Sequence, residues 1–119
     1  MIKNFNINLP SKKGKVAANL NQILYFESMR GIDYMVLLNE EKIELTMNIT
    51  EIEQILWSQG FFRVSKNYLI NLRMIQVIFP DDIPMIMLEN GKRLFVPGSR
   101  QKALFKALES VYQLENTLY

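Results

Sequence analysis

Four short polar segments hold the side chains that could do chemistry on a ligand. Ser65-Lys66-Asn67 stands between the apolar stretches Phe61 to Val64 and Tyr68 to Leu72. All three side chains hydrogen-bond and one is cationic, so at a strand-to-strand corner they can donate to phosphates and base edges. The same triplet also reads as an ordinary solvated turn. Pro97-Gly98-Ser99-Arg100 reads as a helix start, with Ser99 as N-cap and Arg100 in the first turn. Backbone N–H groups there point outward and favour an anion such as a phosphate. Arg100 is a cation at the positive end of the helix dipole, a placement that costs about 0.3–1 kcal/mol. Either it serves a ligand or it lies in solvent. Ser28 to Asp33 is a polar loop with Arg30 beside Gly31, which permits positive φ and close backbone approach. It enters a groove or is a plain hairpin. Ser11-Lys12-Lys13-Gly14-Lys15 is basic but lacks P-loop spacing, and reads as a solvated turn with at most a phosphate contact from Lys13.

Composition removes most other chemistry. The 119 residues include no cysteine and no histidine. Disulfides, thiol catalysis, thiolate or imidazole zinc sites and Ser-His or Cys-His pairs are therefore excluded. Ser99-Arg100-Gln101-Lys102 matches the S-x-x-K nucleophile pattern, but no Ser-Asp-Asn or Lys-Thr-Gly follows, and the match is a coincidence. Asp81 and Asp82, between Pro80 and Pro84, fit turn chemistry better than a converging acid–base pair. No enzyme activity, metal or cofactor is expected.

The net charge is +2 and the pI about 8.9. Residues 1–60 carry six Lys/Arg against seven Asp/Glu, and residues 61–119 carry eight against five, so the basic excess lies in the second half. No apolar run reaches the ~18 residues of a transmembrane helix, and no secretion signal opens the sequence. The expected compartment is the cytoplasm, with no membrane partner.

Most of the sequence that must position these segments reads as short strands. They are Ile23 to Phe26, Tyr34 to Leu38, Ile43 to Met47, two stretches within Phe61 to Leu72, Arg73 to Phe79, Met85 to Leu88 and Arg93 to Val96. Asn39-Glu40-Glu41-Lys42, Pro80-Asp81-Asp82 and Glu89-Asn90-Gly91-Lys92 are turns, and Asn-Gly is a strong hairpin signal. One helix is expected from Asn48 or Thr50 to Gly60. Thr50-Glu51-Ile52-Glu53 has the form of a capping box, and Ile49, Ile52, Ile55 and Leu56 form the inner face. A second runs from Ser99 to about Gln113 with the stripe Ala103, Leu104, Ala107, Leu108 and Val111, and residues 114–119 are expected to fray. Trp57 and most tyrosines fall at core spacings. Only Tyr68 adjoins a cationic cluster, as a base-stacking ring would. The reading is a single domain over 1–119, mostly β, with small antiparallel sheets and two short helices.

Phe61-Phe62-Arg63-Val64-Ser65-Lys66-Asn67-Tyr68-Leu69-Ile70-Asn71, followed by Pro97-Gly98-Ser99-Arg100, resembles the LytTR DNA-binding domain of bacterial transcription (response) regulators. That family's pattern is Phe-Phe-Arg-Val-His-Arg/Lys-Ser-Tyr-Ile/Leu-Val/Ile-Asn, then Pro-Val-Ser-Arg. Ile23-Leu24-Tyr25-Phe26-Glu27 is similar to its early Ile-x-Tyr-x-Glu strand, and the likeness spans about 12–110. The resemblance implies an elongated β fold whose loops enter successive major grooves of duplex DNA. It implies direct-repeat sites, a monomer in solution that pairs on DNA, and an upstream receiver domain or sensor partner of a two-component system. Carried onto this sequence, the base contacts would come from the Arg30 to Asp33 loop, Lys66, Asn67 and Arg100. Arg63, Ser65, Ser99, Gln101, Lys102 and Lys13 would be the backbone contacts. Ser65 stands where His is usual, Asn67 where Ser is usual, and Gly98 where Val is usual. The family's usual target therefore does not transfer, although Asn67 could pair with adenine. The competing reading is a protein-interaction module on the same fold.

Overall fold

Ile23 to Glu27 is buried at five consecutive positions, which requires a strand covered on both faces. The computed structural model describes residues 6–79 and 84–116. Its elements in chain order are β1 (Asn6–Ser11), β2 (Gly14–Asn19), β3 (Ile23–Met29), β4 (Ile32–Leu37), β5 (Lys42–Leu45) and α1 (Ile49–Ile55). They continue with β6 (Phe61–Ser65), β7 (Tyr68–Asn71), β8 (Ile75–Phe79), β9 (Met85–Leu88), β10 (Arg93–Phe95) and α2 (Gly98–Asn116). Seven strands form an antiparallel sheet in the order β2-β1-β5-β4-β3-β7-β6, and β10-β9-β8 form a second.

The two-residue alternation of β structure sorts side chains to the two faces of the large sheet, except at an irregularity between Ile23 and Tyr25 that lets the consecutive Leu24 and Tyr25 join one core. Leu24, Tyr25, Val36, Phe62, Val64 and Ile70 pack with Ile86, Leu88 and Leu94 of the small sheet and with Leu104, Leu108 and Val111 of α2. Ile23, Phe26, Met35, Leu45 and Leu69 face the other way, against Ile49, Ile52 and Leu56 of α1 and its C-terminal turn. The expected α2 stripe is thus the buried one, with Ala103 and Ala107 packed at its margin.

Several boundaries differ from the sequence reading. The hairpin β1–β2 was not expected. β3 and β4 extend into the supposed 28–33 loop, leaving only Arg30-Gly31 as a two-residue turn. Helix α1 is capped by Asn48: its Oδ1 accepts from the Glu51 N–H at 2.9 Å and its Nδ2 donates to the Glu51 carboxylate at 2.7 Å. The reciprocal box is therefore Asn48 with Glu51, because Ile49 must lie inside the helix to reach the core. The helix ends at Ile55, and beyond it helical spacing no longer applies. Ser58 and Gly60 at positive φ turn the chain away, so Trp57 is 80% exposed; Ile55, still within the helix, is 52% exposed and not on the expected inner face, which Ile49, Ile52 and Leu56 supply. Helix α2 begins at Gly98, so Ser99 lies inside its first turn and does not cap it. It continues through Asn116, past the expected end at Gln113. Pro80-Asp81-Asp82 and residues 117–119 lie outside the described residues.

Asn71 is the buried polar link between the two ends of this core. Its Nδ2 donates to the carbonyls of Leu20 and Ile23 at 3.1 and 2.9 Å, and its Oδ1 accepts from the Arg73 N–H at 3.1 Å. Asn71→Leu removes these three hydrogen bonds from a buried site, leaving the Leu20 carbonyl only its bond from the Ile23 N–H, and should lower unfolding stability by about 3 kcal/mol in urea denaturation. A loss below about 0.5 kcal/mol would show that the link is dispensable.

Candidate nucleic-acid interface

Register brings three hairpin turns to one edge of the large sheet. Ser11 pairs with Leu45, Leu45 with Asp33, and Asp33 with Ser28. The Ser28 N–H then donates to the Asn67 carbonyl at 2.9 Å. The turns Lys12-Lys13, Arg30-Gly31 and Lys66-Asn67 therefore project from the same end of their strands. From β1 to β6 this edge crosses five strand spacings, about 24 Å. Lys13, Arg30, Lys66 and Asn67 are exposed, and Ser65 and Asp33 are half-buried. Lys12, which the sequence reading did not select, joins the edge and lies 3.8 Å from Glu44. The turn at the opposite end, Asn39-Glu40-Glu41, is acidic.

Arg30 and Gly31 have φ of 54° and 80°, the signature of a type I′ turn. Such a turn continues the strand twist and needs left-handed backbone at both positions. Glycine supplies it at one; Arg30 adopts it as a non-glycine residue, which is uncommon.

The third element is the first turn of α2. The Arg100 Nε donates to the Arg63 carbonyl at 3.1 Å, and its guanidinium carbon lies 4.6 Å from the Phe62 ring centroid. Both anchors hold Arg100 along β6, three and four residues before Lys66 of the corner. Its terminal nitrogens carry none of these anchoring bonds. Ser99 and Lys102 are exposed beside it and Gln101 is half-buried.

Arg63 was expected at a phosphate. In the structure it makes four hydrogen bonds within the protein. Nε donates to the Ser65 carbonyl at 3.0 Å and Nη2 to the Lys66 carbonyl at 2.6 Å. Nη1 donates to Glu53 at 3.0 Å and to Thr50 Oγ1 at 3.3 Å. No spacing rule in the sequence links residues 50–53 to 63. The connection exists only after α1 packs on the sheet.

Behind the edge, buried Glu27 accepts an ion pair from Lys42 at 2.6 Å, and Lys42 also lies 4.3 Å from the Tyr34 ring centroid. The hydrogen bond to Glu27 raises the Lys42 pKa above its ordinary value. Burial, reinforced by Glu27, pushes the Tyr25 phenol up to about 12. Lys92, part of the basic density in the second half, sits 5.9 and 5.5 Å from the ring centroids of Tyr25 and Tyr68. It clamps the β9–β10 turn onto the large sheet. Tyr68 is half-buried and stacks edge-on with Tyr25, 5.9 Å between centroids.

Among the described residues no helix is long and apolar enough to cross a membrane. A family model described as the LytTr DNA-binding domain matches residues 13–109. In three dimensions the chain is similar to the LytTr DNA-binding domain of a protein described as a methyl-accepting/DNA response regulator from Bacillus cereus. The TM-score is 0.74 and the identity 22%, covering 90% of this chain and 98% of the other. That likeness bears on the fold, which is the mostly β, antiparallel, two-helix arrangement expected. No curated protein matches in sequence.

Tyr25 and Lys42 both hold their protons more tightly folded than unfolded. The stability they contribute is complete below about pH 10, the unfolded value for both, and is lost as pH rises through their raised folded values. Thermal melting should therefore fall steeply between about pH 10 and 12. Tyr25→Phe should blunt that fall. An equal fall in the variant would remove Tyr25 from the account.

Proposed function

The chain belongs to the LytTr DNA-binding domain family, a family of DNA binding in transcription regulation, and we propose that it reads a specific duplex sequence with the turn edge of its large sheet and the first turn of α2. The observation that carries this reading is the alignment of Lys13, Arg30, Lys66 and Asn67 on one sheet edge, with Arg100 tied to the same corner. An edge of about 24 Å exceeds the ~12 Å width of a major groove, so it can fill a groove and reach the phosphates on either side.

Arg100 is the leading base contact. Its Nε is anchored on protein, which leaves the terminal nitrogens to form a fork, and Arg on guanine is the commonest specific pairing. Lys66 suits guanine or a phosphate, Asn67 suits adenine, and Asp33 can accept from cytosine beside Arg30. Lys13, Ser65, Ser99, Gln101 and Lys102 face the backbone, where exposed cations and hydroxyls fix register without reading sequence. Two such domains side by side would occupy direct repeats, each a monomer until DNA brings them together. A receiver domain or sensor partner in a bacterial cytoplasm would supply the signal.

Selection from random duplexes, followed by fluorescence anisotropy across salt, tests this. A short enriched motif with affinity falling steeply in salt is expected; a flat salt profile with no motif would favour a protein-interaction module instead. Arg100→Ala should cost about 1–3 kcal/mol on the enriched site and relax one base position. Lys102→Ala should weaken all duplexes alike and reduce the salt slope by about one. If Arg100→Ala binds enriched and scrambled DNA as the parent does, Arg100 is not a reading residue.

A further inference from the structure

The carbonyls of Ser65, Lys66 and Asn67 are three in a row, and each is held by a donor from elsewhere. Arg63 holds the first two through Nε and Nη2, and the Ser28 N–H holds the third. The Arg63 guanidinium is itself fixed from behind by Glu53 and Thr50 of α1. Its own carbonyl receives Arg100. One side chain thus sets the backbone of the reading turn and touches the strand that locates the other reading residue.

Resting on the DNA-reading assignment above, we propose that Arg63 is a positioning residue for that edge and that Glu53 on α1 is the partner that sets it. Two observations separate this from a phosphate contact. Four of five guanidinium N–H groups are already spent within the protein, and the side chain is only 19% exposed. The planar fork is the required feature. It reaches two carbonyls and a carboxylate at fixed angles, and a lysine ammonium with equal charge cannot. Stability is a poor explanation for the pair, since the Glu53 side chain is 41% exposed and half-exposed ion pairs contribute little. What the pair fixes is the aim of Lys66, Asn67 and Arg100 before DNA arrives, and preorganisation of this kind appears as specificity.

The roles differ in sign for Glu53→Gln. If Arg63 positions the turn, E53Q loosens it and the enriched-to-scrambled affinity ratio falls by about tenfold, as a misplaced base contact would give. Scrambled-duplex affinity stays within about twofold and the salt slope is unchanged. R63K should do the same despite keeping the charge. If Arg63 contacts a phosphate, removing the neighbouring acid tightens both duplexes alike, and R63K keeps the ratio; either result overturns the proposal.

Amide hydrogen exchange gives a readout that needs no DNA. In both variants the Ser28 amide, bonded to Asn67, should exchange at least about fivefold faster, while the Leu38 amide, bonded to Gln22 at the far edge, should not change. Unchanged exchange at Ser28 also overturns the proposal. A parent protein with no sequence preference would remove the reading assignment, and the Ser28 exchange would still decide whether Glu53 and Arg63 hold the turn.

Discussion

The pairing of β3 with β7 is the constraint on which the rest depends. Tyr25 faces Ile70, Phe26 faces Leu69, and Glu27 faces Tyr68. A slip of one residue would turn Phe26 out of the α1 core and Tyr25 out of the α2 core at once, since side chains alternate between faces. Apolar packing on both faces therefore locks the register. The same register puts the Ser28 N–H on the Asn67 carbonyl, and so sets the Arg30 turn beside the Lys66 turn. The geometry of the proposed interface follows from core packing.

The sheet also separates charge. The turns Lys12-Lys13, Arg30-Gly31 and Lys66-Asn67 share one edge, while Glu40 and Glu41 occupy a turn at the other. A net charge of +2 understates the asymmetry a polyanion would meet. The acids that do lie near the cationic edge are mostly engaged: Glu44 by Lys12, Glu53 by Arg63, and buried Glu27 by Lys42.

Legibility in the sequence varied with how local the cause was. The Phe61 to Leu72 corner, the α2 stripe and most strand positions could be read because apolar spacing and turn residues act over a few residues. The β1–β2 hairpin was missed although Ile7 and Leu9 alternate with polar neighbours. Pro10 interrupts that run, and β2 is an edge strand with half its residues exposed. Trp57 was misplaced because α1 stops one turn early, for reasons set by Leu56 in the core and the positive φ of Ser58 and Gly60. Among the proposed contact residues, the exposure of Lys13, Arg30 and Lys66 follows from residue type and turn position. The internal engagement of Arg63 does not, because its partners come from a helix packed across the sheet.

The most direct measurement is a titration of the isotope-labelled domain with an enriched duplex, read as amide chemical-shift changes along the chain. The largest changes should fall at residues 12–14, 30–32, 65–67 and 98–102 together, with residues 39–41 and 58–60 little affected. Changes concentrated at the acidic edge, or at α2 alone with the three turns silent, would contradict a duplex-reading edge built by strand register.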